Sequence, residues 1–140
     1  DVSDLLKLFW ECHDPTQGDR QGNDQGSQYR SAIYTSTSRQ MELALASRDW
    51  YQQALTQAER DSITTEIAAD RTFHFAETYH QQYLARPGSR PYCSAMPTGI
   101  SLGAFEGCDY RLPPQVWSHY DWSISHCVLR GDNSPIQLQA

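Results

Sequence analysis

The sequence predicts helices packed on a small β-sheet, followed by a long irregular tail. Three observations carry this. Helical and strand patterns alternate through the first 85 residues, in the order helix, strand, helix, strand, helix. The two strand patterns are short, so the sheet is small. From residue 86 onward, "RPGSRPYCSAMPTGISLGAFEGCDYRLPPQ" carries five prolines and four glycines, a density that breaks regular structure.

Each element has its own signal. "DVSDLLKLFW" opens a helix, with Ser3 or Asp4 as N-cap and Leu5, Leu6, Leu8 and Phe9 behind it. That helix ends near His13, because Pro15 disfavours helical geometry at Asp14. "YRSAIYT" (29–35) reads as a strand. Thr37 and Gln40 form a capping box for a second helix, which runs to residue 58. "SITTEIA" (62–68), rich in β-branched residues, is the second strand. "FAETYHQQYLA" (75–85) is the third helix, stopped by Pro87 and Gly88. Two strands make a poor sheet alone, so further strands are expected from upstream or from a partner. The tail beyond the irregular stretch, "VWSHYDWSISHCVLR", is too aromatic for a disordered linker, so an ordered coil wrapping the domain is expected.

At 140 residues the chain is one domain or part of one. Its formal charge of −6 argues against a broad nucleic-acid or anionic-membrane surface, which needs concentrated Lys and Arg. No apolar run is long enough to cross a bilayer, and no signal peptide is visible. The start, directly in an amphipathic helix, suggests that the natural beginning has been lost. The cysteines are Cys12, Cys93, Cys108 and Cys127, and free thiols, some redox-active, are expected rather than a disulfide framework.

One stretch concentrates loop chemistry. In "QGDRQGNDQGSQYRSAIY" (17–34), Gly18, Gly22 and Gly26 fall four apart, with Asp19, Asn23 and Asp24 between them. A phosphate-binding P-loop needs Gly-Lys-Ser/Thr, and no lysine follows Gly26. A dinucleotide fingerprint needs other spacing, between a strand and a helix. A calcium loop starting at Asp19 needs glycine where Asp24 stands, and a late Glu. A plain polar loop and a pocket rim remain.

"LFWECHDPTQGDRQGNDQGSQYRSAIY", "ITTEI", "FAETYHQQYL" and "PYC" resemble, in order and spacing, the second half of the A-type peptide methionine sulfoxide reductases, from near Ser3 to near Ser101. The resemblance implies an α+β fold, a two-layer sandwich of helices on a mixed sheet with a ferredoxin-like core incomplete at the N-terminus. It divides the chain into a partial catalytic domain, 1–92, and a coil-rich tail, 93–140. It implies reduction of methionine S-sulfoxide, free or in proteins, with no cofactor and no metal. A thiolate attacks the sulfoxide sulfur, a sulfenic acid forms, and a recycling thiol condenses with it to a disulfide that thioredoxin reduces. A monomer in the cytoplasm is expected, or in an organelle if a targeting segment precedes.

The family's Gly-Cys-Phe-Trp-Gly nucleophile motif and its Gly-His-Ala-Glu segment are not in this sequence. "LFWEC" has its cysteine after Phe-Trp, so Cys12 is not taken as the nucleophile, and the chain alone is expected to be inactive. By the same resemblance, Asp24 and Tyr29 polarise and protonate the sulfoxide oxygen. His80 and Tyr83, on one helix face, stand with Tyr92 beside the substrate. Cys93 is the recycling thiol, with Cys108 or Cys127 as a second, since Ser101 occupies the usual position. The plain alternatives are a turn residue for Asp24, packing for Tyr29 and Tyr83, and an inert thiol for Cys93. Two rivals stand beside the enzyme: a non-catalytic sulfoxide-binding remnant, and a thiol redox partner using Cys93, Cys108 and Cys127.

Overall fold

The computed structural model describes residues 1–83, 86–88 and 93–119. Its framework is a pair of helices. The first, α1 (Val2–Glu11), is capped by the Asp1 side chain, which accepts from the Ser3 N–H, so the helix begins earlier than the Ser3 or Asp4 cap predicted. The second, α2 (Ser38–Gln57), starts as expected, with Thr37 Oγ1 accepting from the Gln40 N–H at 3.2 Å. The Gln40 side chain reaches back to the Ser36 N–H, one residue beyond its capping-box partner. At the other end, Glu59 takes a left-handed φ of 57° while Arg60 and Glu59 donate to the carbonyls of Leu55 and Thr56. That is a Schellman stop built without glycine.

Trp10 of α1 stacks on Tyr51 of α2 with ring centres 5.6 Å apart. Its indole N–H donates to Ser47 Oγ at 2.9 Å, so the polar edge is satisfied inside the core. Leu6, Leu43, Ala44 and Leu55 complete the seam, and Leu102 and Phe105 close it from the coil.

There are two small sheets among the described residues, not one mixed sheet. Strands β1 (Arg20–Gln21) and β2 (Asp24–Gln25) form an antiparallel hairpin. Strands β3 (Ala32–Thr35) and β4 (Glu66–Ala69) pair in parallel, Ala32 opposite Glu66, with α2 as the crossover. Both are shorter than the sequence pattern. Tyr29 ends a 3₁₀ turn (Ser27–Tyr29), and Thr64 and Thr65 bond to the preceding loop and to Ser31 instead of entering the ladder.

The helix expected at 75–85 does not form over its described part. His80 and Tyr83 donate to the carbonyls three residues back, and Gln82 has a φ of +48°. Helices are held mainly by burying an apolar face, and the apolar side chains here are left in solvent among the described residues, with Phe75 85% exposed. Leu84 and Ala85 lie outside the described residues. A short helix unforeseen in the sequence, α3 (Pro114–His119), follows the coil.

The coil from residue 98 to 112 lies on the helix pair; the wrapping coil expected of the aromatic tail 116–130 falls, beyond residue 119, outside the described residues. Tyr51 donates to the Ile100 carbonyl, and burial pushes its phenol up to about 12. The Leu102 N–H donates to the Glu11 carboxylate at 2.7 Å, while Lys7 donates to the Leu102 carbonyl at 3.0 Å. The N–H groups of Arg111 and Leu112 both reach the Asp4 carboxylate. No helix among the described residues is long and apolar enough to cross a membrane.

Burial pushes the Asp4 carboxyl up, but the N–H groups of Leu112 and Arg111, together with the amino group of Asp1, outweigh it and hold it below its ordinary 3.8. A carboxyl depressed in the folded state stabilises above its unfolded pKa and loses that contribution as pH falls through the folded one. Tryptophan fluorescence in urea, repeated across pH, should therefore show stability falling as pH drops below 3.8. Asp4→Asn should be less stable at neutral pH and less sensitive to acid across that window.

Candidate functional site

The polar loop between α1 and β3 is built by its own side chains. Asp14 accepts from the Thr16 N–H at 3.0 Å, the Thr16 hydroxyl at 2.6 Å and the Gln17 amide at 3.0 Å. Gln17 accepts from the Gly22 N–H at 2.8 Å, and Thr64 Oγ1 accepts from the Gly18 N–H at 2.9 Å. Gln21 then links three segments: its carbonyl accepts from the N–H groups of Asp14 and Met96, and its amide donates to the Asp14 carbonyl.

This loop docks the stretch after Cys93. Gly22 has a φ of +59°, and a Cβ there would sit 2.0 Å from the Ser94 carbonyl oxygen. Only glycine suits both the left-handed backbone and the close approach. Two residues on, the Asp24 carboxylate accepts from the Ser94 hydroxyl. Cys93 itself is disulfide-bonded, which corrects the expectation of a free thiol at this residue, while Cys12 and Cys108 are free as expected; its partner lies outside the described residues.

Tyr29 stands across Gly26 from Asp24 and is 41% exposed. No hydrogen bond joins the Asp24 and Tyr29 side chains among the described residues; Asp24 is brought to Ser94 instead. His80 and Tyr83 lie in an exposed turn and share no helix face, because the helix does not form. The His80 ring rests on Tyr79, 4.4 Å between centres. Tyr92 and Cys127 lie outside the described residues. Cys108 is a free, half-buried thiol in a turn whose N–H bonds to the Phe105 carbonyl. Cys12 is also free; its Sγ donates to the Phe9 carbonyl, and burial pushes its pKa above the ordinary thiol value. That disfavours the thiolate a nucleophile needs. Among the described residues, no three His, Cys, Asp or Glu side chains cluster as metal ligands.

Two features escaped the sequence reading. Ser94 had no local signal, being 70 residues from Asp24. The other is a half-buried relay at the end of α1. His13 Nδ1 bonds the Phe9 carbonyl at 2.7 Å, Nε2 bonds Ser31 Oγ at 2.7 Å, and Ser31 bonds Thr65 Oγ1 at 2.8 Å. Burial lowers the His13 pKa, so the ring is neutral, with its proton on Nδ1 to serve the carbonyl.

The Gly22 contact gives a direct test. Gly22→Ala should free the 94–96 segment and cost about 2 kcal/mol, seen as faster hydrogen exchange at the Met96 amide and faster reduction of the Cys93 disulfide. Gly18→Ala meets no atom within 4 Å, so it should cost about 1 kcal/mol and leave both rates unchanged.

Comparison with known proteins matches this sequence to a family. The model of the family described as peptide methionine sulfoxide reductase matches residues 1–102. A protein named peptide methionine sulfoxide reductase MsrA from Vibrio cholerae is 57% identical over 99 residues, covering 71% of this chain and 46% of the relative. The human mitochondrial peptide methionine sulfoxide reductase is 54% identical over 98 residues, 70% of this chain and 41% of its own length. An MsrA from Ectopseudomonas mendocina is 59% identical over 99 residues, covering 70% and 44%. The chain thus spans less than half the length of these relatives. With 102 residues matched in one run that holds the glycine loop and Cys93, the chain belongs to the peptide methionine sulfoxide reductase family.

Proposed function

We propose that this chain supplies part of the site of an enzyme that returns methionine S-sulfoxide, free or in proteins, to methionine. An enzyme thiol attacks the sulfoxide sulfur, the oxygen leaves on that thiol as a sulfenic acid, and methionine departs. A recycling thiol condenses with the sulfenic acid to a disulfide, releasing water, and two thiols of thioredoxin reduce it. Asp24 and Tyr29 hold and protonate the oxygen; His80, Tyr83 and Tyr92 line the substrate. Cys93 recycles, with Cys127 or Cys108 as the second thiol. The whole enzyme is a cytoplasmic monomer with a two-layer, ferredoxin-like α+β core, the catalytic part at 1–92 and the recycling tail at 93–140.

One observation carries the reading. The residue next to Cys93 hydrogen-bonds the Asp24 carboxylate, so a redox-active cysteine and the acid are brought together from two distant segments. A second reading, a sulfoxide-binding remnant without turnover, draws on the thiols: Cys12 is disfavoured as a thiolate by burial, and Cys108 is tied into a turn.

A chimera separates them. Replacing the matched 99 residues of the Vibrio cholerae protein with their counterparts here should give a protein that reduces methionine S-sulfoxide with thioredoxin. Asp24→Asn should lower its kcat/KM about 100-fold. Cys93→Ser should leave a single turnover but stop thioredoxin-driven cycling. A folded, sulfoxide-binding chimera that releases no methionine would favour the remnant.

A further inference from the structure

The coil after Cys93 is seated on the glycine loop. The Ser94 carbonyl fills the space where a Cβ of Gly22 would stand, and the Met96 Cγ lies 3.4 Å from that same position. The Met96 N–H donates to Gln21 Oε1 at 2.9 Å. Between these contacts, the Ser94 hydroxyl donates to Oδ2 of the half-buried Asp24 carboxylate. Asp24 and Ser94 are 70 residues apart, so their contact must offset the freedom that the coil gives up to make it.

A constraint that lowers this cost stands next door. Cys93 is disulfide-bonded and directly precedes Ser94. A crosslink removes conformational freedom from the chain around it, and Ser94 is one peptide, about 3.8 Å between Cα atoms, from that anchor. Seating the coil is therefore easier while the disulfide is intact. By linkage, whatever help the disulfide gives the docking, the docking returns to the disulfide. The docking also occupies the acid. To hold a sulfoxide oxygen, a carboxyl group must present a proton or a bound water to it, and an oxygen that accepts the Ser94 hydroxyl is engaged elsewhere.

We propose that residues 94–96 form a redox-set cover on Asp24, with Ser94 as its positioning residue: closed while Cys93 is in its disulfide, released when that bond is reduced. Reduction by a dithiol breaks the S–S bond. Two electrons and two protons leave Cys93 and its partner as thiols, while the dithiol closes to a disulfide of its own. The acid is thus freed at the moment a recycling thiol becomes available again, and a second sulfoxide is not accepted before the first has been cleared. The inference rests on the proposed role of Asp24, but its test uses no sulfoxide.

Carbodiimide coupling of glycine ethyl ester, read by peptide mass spectrometry on the 140-residue chain, measures access to each carboxyl group. Asp24 should label slowly in the oxidised chain and about tenfold faster after dithiothreitol. Asp19, exposed on the same loop, should label at one rate throughout. Ser94→Ala and Cys93→Ser should each give the fast Asp24 rate without reductant. In Ser94→Ala the Cys93 disulfide should reach half-reduction at an about tenfold lower ratio of reduced to oxidised dithiothreitol. Equal labelling of Asp24 in both redox states would overturn the proposal, as would a rise shared by Asp19, which would mean that the whole loop opens. A Ser94→Ala chain that labels slowly, or whose half-reduction point is unchanged, would overturn it too. Methionine release by the chimera is read separately: a cover that behaves as expected on an inactive chimera keeps this inference and counts against the enzyme.

Discussion

A polar stripe on α1 holds the coil-rich part of the structure in place. Asp4 and Glu11 are seven residues apart, two turns of one helix face, with Lys7 between them. The carboxylates accept backbone N–H groups of Leu102, Arg111 and Leu112, and Lys7 answers with the Leu102 carbonyl. A coil cannot pair its own backbone as a helix or ladder does, and buried unpaired groups cost about 1–3 kcal/mol each. Here α1 supplies the missing partners. Leu102 and Phe105 can then enter the core without stranding the peptide groups beside them.

The glycine-rich loop applies the same logic one level further out. Gln21 accepts from the Met96 amide, Gly22 yields space to the Ser94 carbonyl, and Asp24 takes the Ser94 hydroxyl. The coil is thus fixed at two stations, the α1 stripe and the loop. The disulfide-bonded Cys93 directly precedes the Ser94 that Asp24 holds at the second.

Much of the frame was legible in the sequence because its causes are local. Thr37 and Gln40 announced the start of α2, and the alternation around Ala32–Thr35 announced a strand. The 75–85 segment misled because its periodicity promises a face to bury, while the described chain offers nothing to bury it against. The site divides along the same line. Asp24, Tyr29 and Cys93 were singled out through a resemblance carried by separate strings along the sequence. The Ser94–Asp24 contact and the His13 relay join residues 70 and 18 positions apart, and no local pattern encodes them.

The relay bears on how the parallel pair finds its alignment. Ser31 and Thr65 each stand one residue ahead of the first ladder partners, Ala32 and Glu66. Their hydroxyls meet each other while His13 grips one of them from the helix end. Sliding either strand by a single step would break that handshake and leave a half-buried imidazole nitrogen without its partner. Three side chains at the threshold thus favour this alignment over its neighbours.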